Sequence, residues 1–114
     1  MADDLDLLRG TLDLLVLRTL VSGPRHGYAV AAAIRDRSDG ELLVEEGALY
    51  PALHRLEARG WVEAEWGVSE NNRKARYYGL TRAGAKRLKA ATSEWGRYVR
   101  AVDRVLAPVA SGGD

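Results

Sequence analysis

The sequence predicts a mainly α-helical fold with a small β-wing, a winged helix-turn-helix followed by one C-terminal dimerisation helix. Three observations carry this. Residues 47–60 read as a short amphipathic helix, with Leu49, Leu53 and Leu56 at i, i+4 and i+7 on one face. Two β-prone runs follow, 61–66 and 75–80, joined by the polar, basic turn 67–74. Finally, Leu88, Ala91, Trp95, Tyr98, Val102 and Val105 recur at spacings of 3, 4, 3, 4 and 3, a heptad seam on one long helix.

In chain order, a first helix is expected from Leu5 to about Val21. Its apolar residues fall in two sets, Leu5, Leu8, Leu12, Leu15, Val16 and Leu20, and Leu7, Leu14, Leu17 and Val21. A helix with two apolar faces has two surfaces to bury against. Ser22-Gly23-Pro24 ends it, and a second helix follows from Gly27 to Arg37 with Tyr28, Val30, Ala31 and Ile34 inward. Ser38-Asp39-Gly40 is a turn, and Leu42-Leu43-Val44, too short for a helix, is expected to pair as a small third strand. In the helix at 47–60, Pro51 lacks an N–H and belongs in the first turn, where that donor is unpaired anyway, and Gly60 closes the helix. Glu45 and Glu46 place favourable charge at its N-terminus. Asn71-Asn72 tolerates the positive φ of a hairpin tip. Thr81 is placed as the N-cap of the last helix and Pro108 stops it; about 25 residues would span about 37 Å, more than so small a domain can cover. The expected organisation is a winged helix-turn-helix over 1–80, a dimerisation helix over 81–108 and a frayed tail over 109–114.

At 114 residues the chain is one domain by length. It has no cysteine, which excludes disulfides, thiolate metal sites and cysteine nucleophiles, and its acidic start, Met1-Ala2-Asp3-Asp4, is unlike a signal peptide. The run Leu12 to Val21 is broken by Asp13 and Arg18 and cannot span a membrane, so a cytoplasmic protein is expected. The net charge of +1 hides a division: residues 1–72 carry 7 Lys+Arg against 13 Asp+Glu, and residues 73–114 carry 10 against 3. The basic charge begins at the proposed wing.

On a helical wheel His54, Arg55 and Ala58 lie opposite the leucines, with Tyr50 and Ala48 flanking. Such a face is either plain solvated surface or a major-groove reader, and the order helix, strand, basic turn, strand favours the second. Tyr50 either reaches a phosphate or packs beside Pro51. Arg73, Lys74 and Arg76 supply positive charge where a wing meets phosphate. His26 and His54 are 28 residues apart with no ligand cluster around either, which argues against a metal site. No nucleophile sits beside a base and no phosphate loop is present, so neither catalytic residues nor a cofactor are expected. Trp95 and Tyr98 read as interface anchors or as the walls of a cavity between two chains for a flat hydrophobic ligand.

Several runs together resemble the PadR family of bacterial transcriptional regulators. They are Gly10-Thr11-Leu12 with Leu15-Val16-Leu17, His26-Gly27-Tyr28, Leu49-Tyr50-Pro51-Ala52-Leu53 with Leu56-Glu57 and Gly60-Trp61, and Arg76-Tyr77-Tyr78-Gly79-Leu80-Thr81 with Gly84. The likeness runs from about Arg9 to Leu106 and is to the short-tailed subfamily, with one C-terminal helix for dimerisation. It implies a homodimeric winged-helix repressor that binds double-stranded DNA at an inverted-repeat operator and answers to a small hydrophobic effector. Tyr50 matches the tyrosine of the family's recognition helix, Arg73 and Lys74 its basic wing, and Trp95 lies on the helix whose tryptophan lines the dimer pore in some members. The short tail departs from members that bind phenolic acids, so that ligand class does not transfer. The competing class is a protein-interaction module that grips protein with the same helix and wing and holds DNA only weakly.

Overall fold

The computed structural model describes residues 2–109, with side chains from residue 10 onward. The burial expected of Leu5, Leu7 and Leu8, and the expected fraying of 110–114, lie outside the described residues. The elements run α1 (Ala2–Thr19), β1 (Arg25–His26), α2 (Gly27–Arg37), α3 (Glu46–Ala58), β2 (Val62–Val68), β3 (Lys74–Leu80) and α4 (Arg82–Leu106). This is a mainly helical winged helix with a three-stranded antiparallel sheet in the order β1-β3-β2.

The core is what the helical spacings put together: Leu12, Val16, Leu17 and Leu20 of α1, Val30 and Ile34 of α2, Leu49, Ala52, Leu53 and Leu56 of α3, closed by Val62 and Tyr78 of the sheet. The end of α1 is tied down by polar contacts. The buried Thr19 hydroxyl donates to the Val16 carbonyl at 2.8 Å, and Arg25 Nε donates to the Thr19 carbonyl at 2.8 Å, satisfying groups that a helix terminus leaves open.

The third strand is not where it was expected. Arg25 and His26 pair with Tyr78 and Tyr77, whereas Leu42-Leu43-Val44 forms no strand and crosses the surface, with Leu43 exposed and the Leu42 N–H held by Ser38 Oγ at 3.0 Å. Tyr28, expected inward, is exposed; Val30 and Ile34 are the buried members of that set. The start of α2 is fixed instead by His26, whose Nδ1 accepts the Ala29 N–H at 3.2 Å as an N-cap.

Pro51 is also displaced. Because α3 starts at Glu46, Pro51 is its sixth residue, inside the helix, and the Gly47 carbonyl loses its i+4 donor. Gly47 is exposed, so water can take that carbonyl. The helix closes as expected at Gly60, where φ is 77°, the Gly60 N–H meets the Glu57 carbonyl and the Trp61 N–H meets the Leu56 carbonyl at 3.0 Å.

Thr81 caps α4, its Oγ1 accepting the Gly84 N–H at 2.9 Å while donating to the Gly60 carbonyl at 2.7 Å. The joint tolerates no side chain at Gly84, because a Cβ there would run into the Trp61 carbonyl oxygen. From this anchor α4, 25 residues long in all, packs on α1 and runs on beyond the rest of the fold. The radius of gyration is 16.9 Å with extents of 65 × 27 × 25 Å, against about 13 Å expected for a compact chain of this length. Among the described residues no helix is long and apolar enough to cross a membrane.

Candidate nucleic-acid interface

α3 presents three surfaces besides its buried leucines. One flank meets α2 and the sheet. Tyr50 is half-buried there, its ring lying so close to Gly27 that a Cβ at that position would clash with it. Tyr50 thus packs across onto the first residue of α2, which explains why a glycine follows the capping histidine. On the same flank Glu57 accepts from Arg76 Nη2 of β3 at 3.0 Å. The opposite flank meets α1, where Arg55 Nη2 reaches Asp13 Oδ1 at 2.8 Å. The outermost surface consists of Gly47, Pro51, His54 and Ala58, all exposed.

This placement refines the sequence reading. His54 is outward as expected. Arg55, expected opposite the leucines, lies instead on the α1 flank, its side chain 34% exposed and its Nε buried without a hydrogen-bond partner among the described residues. Its position 240° around the wheel from Leu49 leaves it nearer to α1 than to the outer surface. Arg76, expected on the wing's free surface, is drawn to Glu57 and likewise leaves Nε buried and unpartnered. Both are half-buried pairs that brace α3, to the first helix on one side and to the wing on the other.

The wing pairs Val62 with Leu80 through Val68 with Lys74, so its tip is the five residues 69–73. Ser69 organises the tip: its N–H donates to the Arg73 carbonyl at 2.8 Å, and its Oγ accepts the Arg73 N–H at 3.3 Å. Asn72 takes the positive φ, 59°, that the Asn-Asn pair was expected to absorb. Arg73 and Lys74 are exposed. Behind them, burial pushes the Tyr78 hydroxyl above its usual range, with the Arg76 guanidinium opposing the shift and Glu57 adding to it.

On α4, Leu88, Ala91 and Val102 are half-buried, whereas Trp95 (42%), Tyr98 (50%) and Val105 (82%) are exposed. The Trp95 and Tyr98 rings lie 5.8 Å apart, centroid to centroid. They form an aromatic wall that stays largely uncovered among the described residues. An open groove of about 620 Å³ lies elsewhere, between α1, residues 41–45 and α3, lined by Leu12, Leu15, Leu42, Val44, Pro51 and Arg55 among others.

Asp13, Gly27 and Glu57 were given no place in the site by the sequence reading, although Gly27 and Glu57 lie in the quoted motifs. Glu57 was legible in principle, since it shares the flank of Tyr50 on the wheel. Nothing in one sequence pairs Asp13 with Arg55 across 42 positions.

An outward helix face, two braces and an ordered hairpin with the exposed cations Arg73 and Lys74 define a winged-helix protein of the regulator type. Comparison with known proteins makes this specific. The pattern of the Transcriptional regulator PadR-like family matches residues 16–90. A protein of Lysinibacillus sphaericus, known only as uncharacterized protein X, is 31% identical over 98 residues, 86% of this chain and 90% of that one. Among solved structures, a transcriptional regulator from Clostridium thermocellum superposes with a TM-score of 0.80 at 30% identity, covering 89% of this chain and 98% of that one. A PadR-family transcriptional regulator from Eggerthella lenta gives 0.77 at 30% identity, covering 95% and 92%. The chain belongs to the PadR-like family of transcriptional regulators; it is a regulator and not an enzyme.

Proposed function

We propose that the chain is a cytoplasmic, homodimeric DNA-binding repressor that reads an inverted-repeat operator. The observation that carries this reading is the outer surface of α3, bare of long side chains except His54, held beside a wing that exposes Arg73 at its tip and Lys74 at the start of β3. Small residues at Gly47, Pro51 and Ala58 let the helix backbone come close to a major groove while His54 meets a base edge, and the wing cations meet phosphate. Tyr50, half-buried with its hydroxyl end against Gly27, serves by setting the angle of α3. Arg55 fixes α3 to α1 through Asp13, and Arg76 fixes the wing to α3 through Glu57.

Dimerisation is assigned to the α4 seam, whose Trp95, Tyr98 and Val105 are exposed among the described residues. Two-fold symmetry then sets two α3 helices on half-sites about one turn, or roughly 10 bp, apart. The same symmetry brings two Trp95–Tyr98 walls together around a space suited to a flat hydrophobic effector, which releases DNA if it fits one spacing of the two α3 helices better than the other.

A gel shift on the DNA upstream of the chain's own gene tests this. The expected result is a complex that survives excess mixed-sequence competitor. A complex competed equally by any duplex, or none at all, favours a protein-interaction module. Following Trp fluorescence and operator binding together while planar hydrophobic compounds are titrated tests the effector; quenching with unchanged DNA affinity removes it from the account.

A further inference from the structure

We propose that Trp66 is a DNA-backbone contact, its indole packing on deoxyribose and donating Nε1–H to a phosphate while it holds Lys74 in place for the next one. The proposal rests on the DNA-binding reading above and deepens it.

Side chains alternate along β2, so Val62, Ala64, Trp66 and Val68 share one face of the hairpin. Val62 is buried and Ala64 half-buried on the core, and the same face runs on past the core's edge, where Trp66 is 62% exposed and Val68 is exposed too. The cross-strand partners on this face are Arg76, opposite Trp66, and Lys74, opposite Val68. Both cations sit over the indole, Lys74 Nζ at 5.4 Å and Arg76 Cζ at 5.9 Å from the ring centroid. Arg76 is fixed at its far end by Glu57, so the indole has a defined place beside α3. Lys74 has no carboxylate partner among the described residues.

The reverse face of the hairpin differs in sign. Glu63 and Glu65 project there, both exposed. One side of the wing therefore exposes two carboxylates beside Tyr77, and the side carrying Trp66 exposes Lys74 next to the Glu57-paired Arg76. A polyanion is repelled by the first and accepted by the second. Indole is a hydrogen-bond donor only, which suits an acceptor-only partner such as a phosphodiester. An ammonium already resting on a ring loses less freedom when a phosphate arrives than one on a free stem.

The test uses the full chain labelled with 5-fluorotryptophan, which has three indole resonances; that of Trp66 is the one lost in Trp66→Phe. A 24-bp mixed-sequence duplex is titrated at low salt, with binding followed independently by the anisotropy of a dye on the duplex. The Trp66 resonance is expected to shift on binding, and Trp66→Ala to weaken the mixed-sequence duplex about tenfold while the salt slope, set by the cations that remain, changes little. Trp66→Phe, which keeps the ring without the N–H, should fall between. If the duplex binds while the Trp66 resonance stays still, or if Trp66→Ala binds as the wild type does, the proposal fails and the DNA-binding reading survives. If the wild type binds no duplex, both fail. A Trp66 resonance that moves with protein concentration in the absence of DNA assigns this face to a second copy and also overturns the proposal.

Discussion

α3 and α4 are both amphipathic helices, and they resolve their apolar faces in opposite ways. α3 buries Leu49, Ala52, Leu53 and Leu56 within its own chain, so its other surfaces are released for bracing and for contact outside. α4 buries little beyond Gly84 at its anchor and carries an aromatic seam into solvent. A helix that is satisfied at home can present a rigid reading surface, and one whose seam is exposed is where the proposed dimer forms. In the proposed dimer the first helix supplies the contact and the second supplies the symmetry.

The largest break in this comparison comes from α4 alone. Val102→Asp places two carboxylates where the seams would meet, and it should weaken dimerisation by at least a thousandfold, about 4 kcal/mol. Sedimentation should then show a monomer at micromolar concentration, with the hairpin and α3 still folded by circular dichroism; a variant that stays dimeric removes the seam from the account. Next in size is Gly84→Ala, which strikes the joint between the two regions. Its Cβ meets the Trp61 carbonyl oxygen, so the start of α4 must shift, at a cost of about 3 kcal/mol in urea unfolding.

The surfaces of α3 and the wing are distinguished by a third pair of variants. His54→Ala should cost about 1 to 3 kcal/mol of operator affinity and relax base preference, whereas Lys74→Ala should weaken all duplexes alike and flatten the salt slope by about one. If both act alike on every sequence, His54 is not a base reader. The smallest expected effect separates bracing from reading. A double-mutant cycle between Asp13 and Arg55 should give a coupling of about 0.5 to 1 kcal/mol in folding stability, as for a half-exposed pair. No coupling would return Arg55 to the set of free cations.

What was legible in the sequence follows the same division between local and long-range causes. The limits of α2, the leucine face of α3, the closure at Gly60, the Thr81 cap and the length of α4 all follow from periodicity and capping chemistry, which act within a turn or two. β1 was not legible, because a two-residue strand has no pattern of its own and exists only where β3 offers it partners. The apolar Leu42-Leu43-Val44 drew the expectation instead. The positions of Arg55 and Arg76 were missed because a helical wheel or a strand pattern gives direction, while Asp13 and Glu57 decide what the guanidinium finds there. Tyr50 was weighed between phosphate and Pro51, and its contact with Gly27 depends on how α2 crosses α3.

The most direct test of the two-fold reading is selection of bound sequences from a random duplex pool, followed by measurement of the number of chains per selected duplex. Enrichment of an inverted repeat with half-sites about 10 bp apart, bound by two chains, is the predicted result. Enrichment of a single asymmetric site bound by one chain, or no enrichment at all, would contradict it.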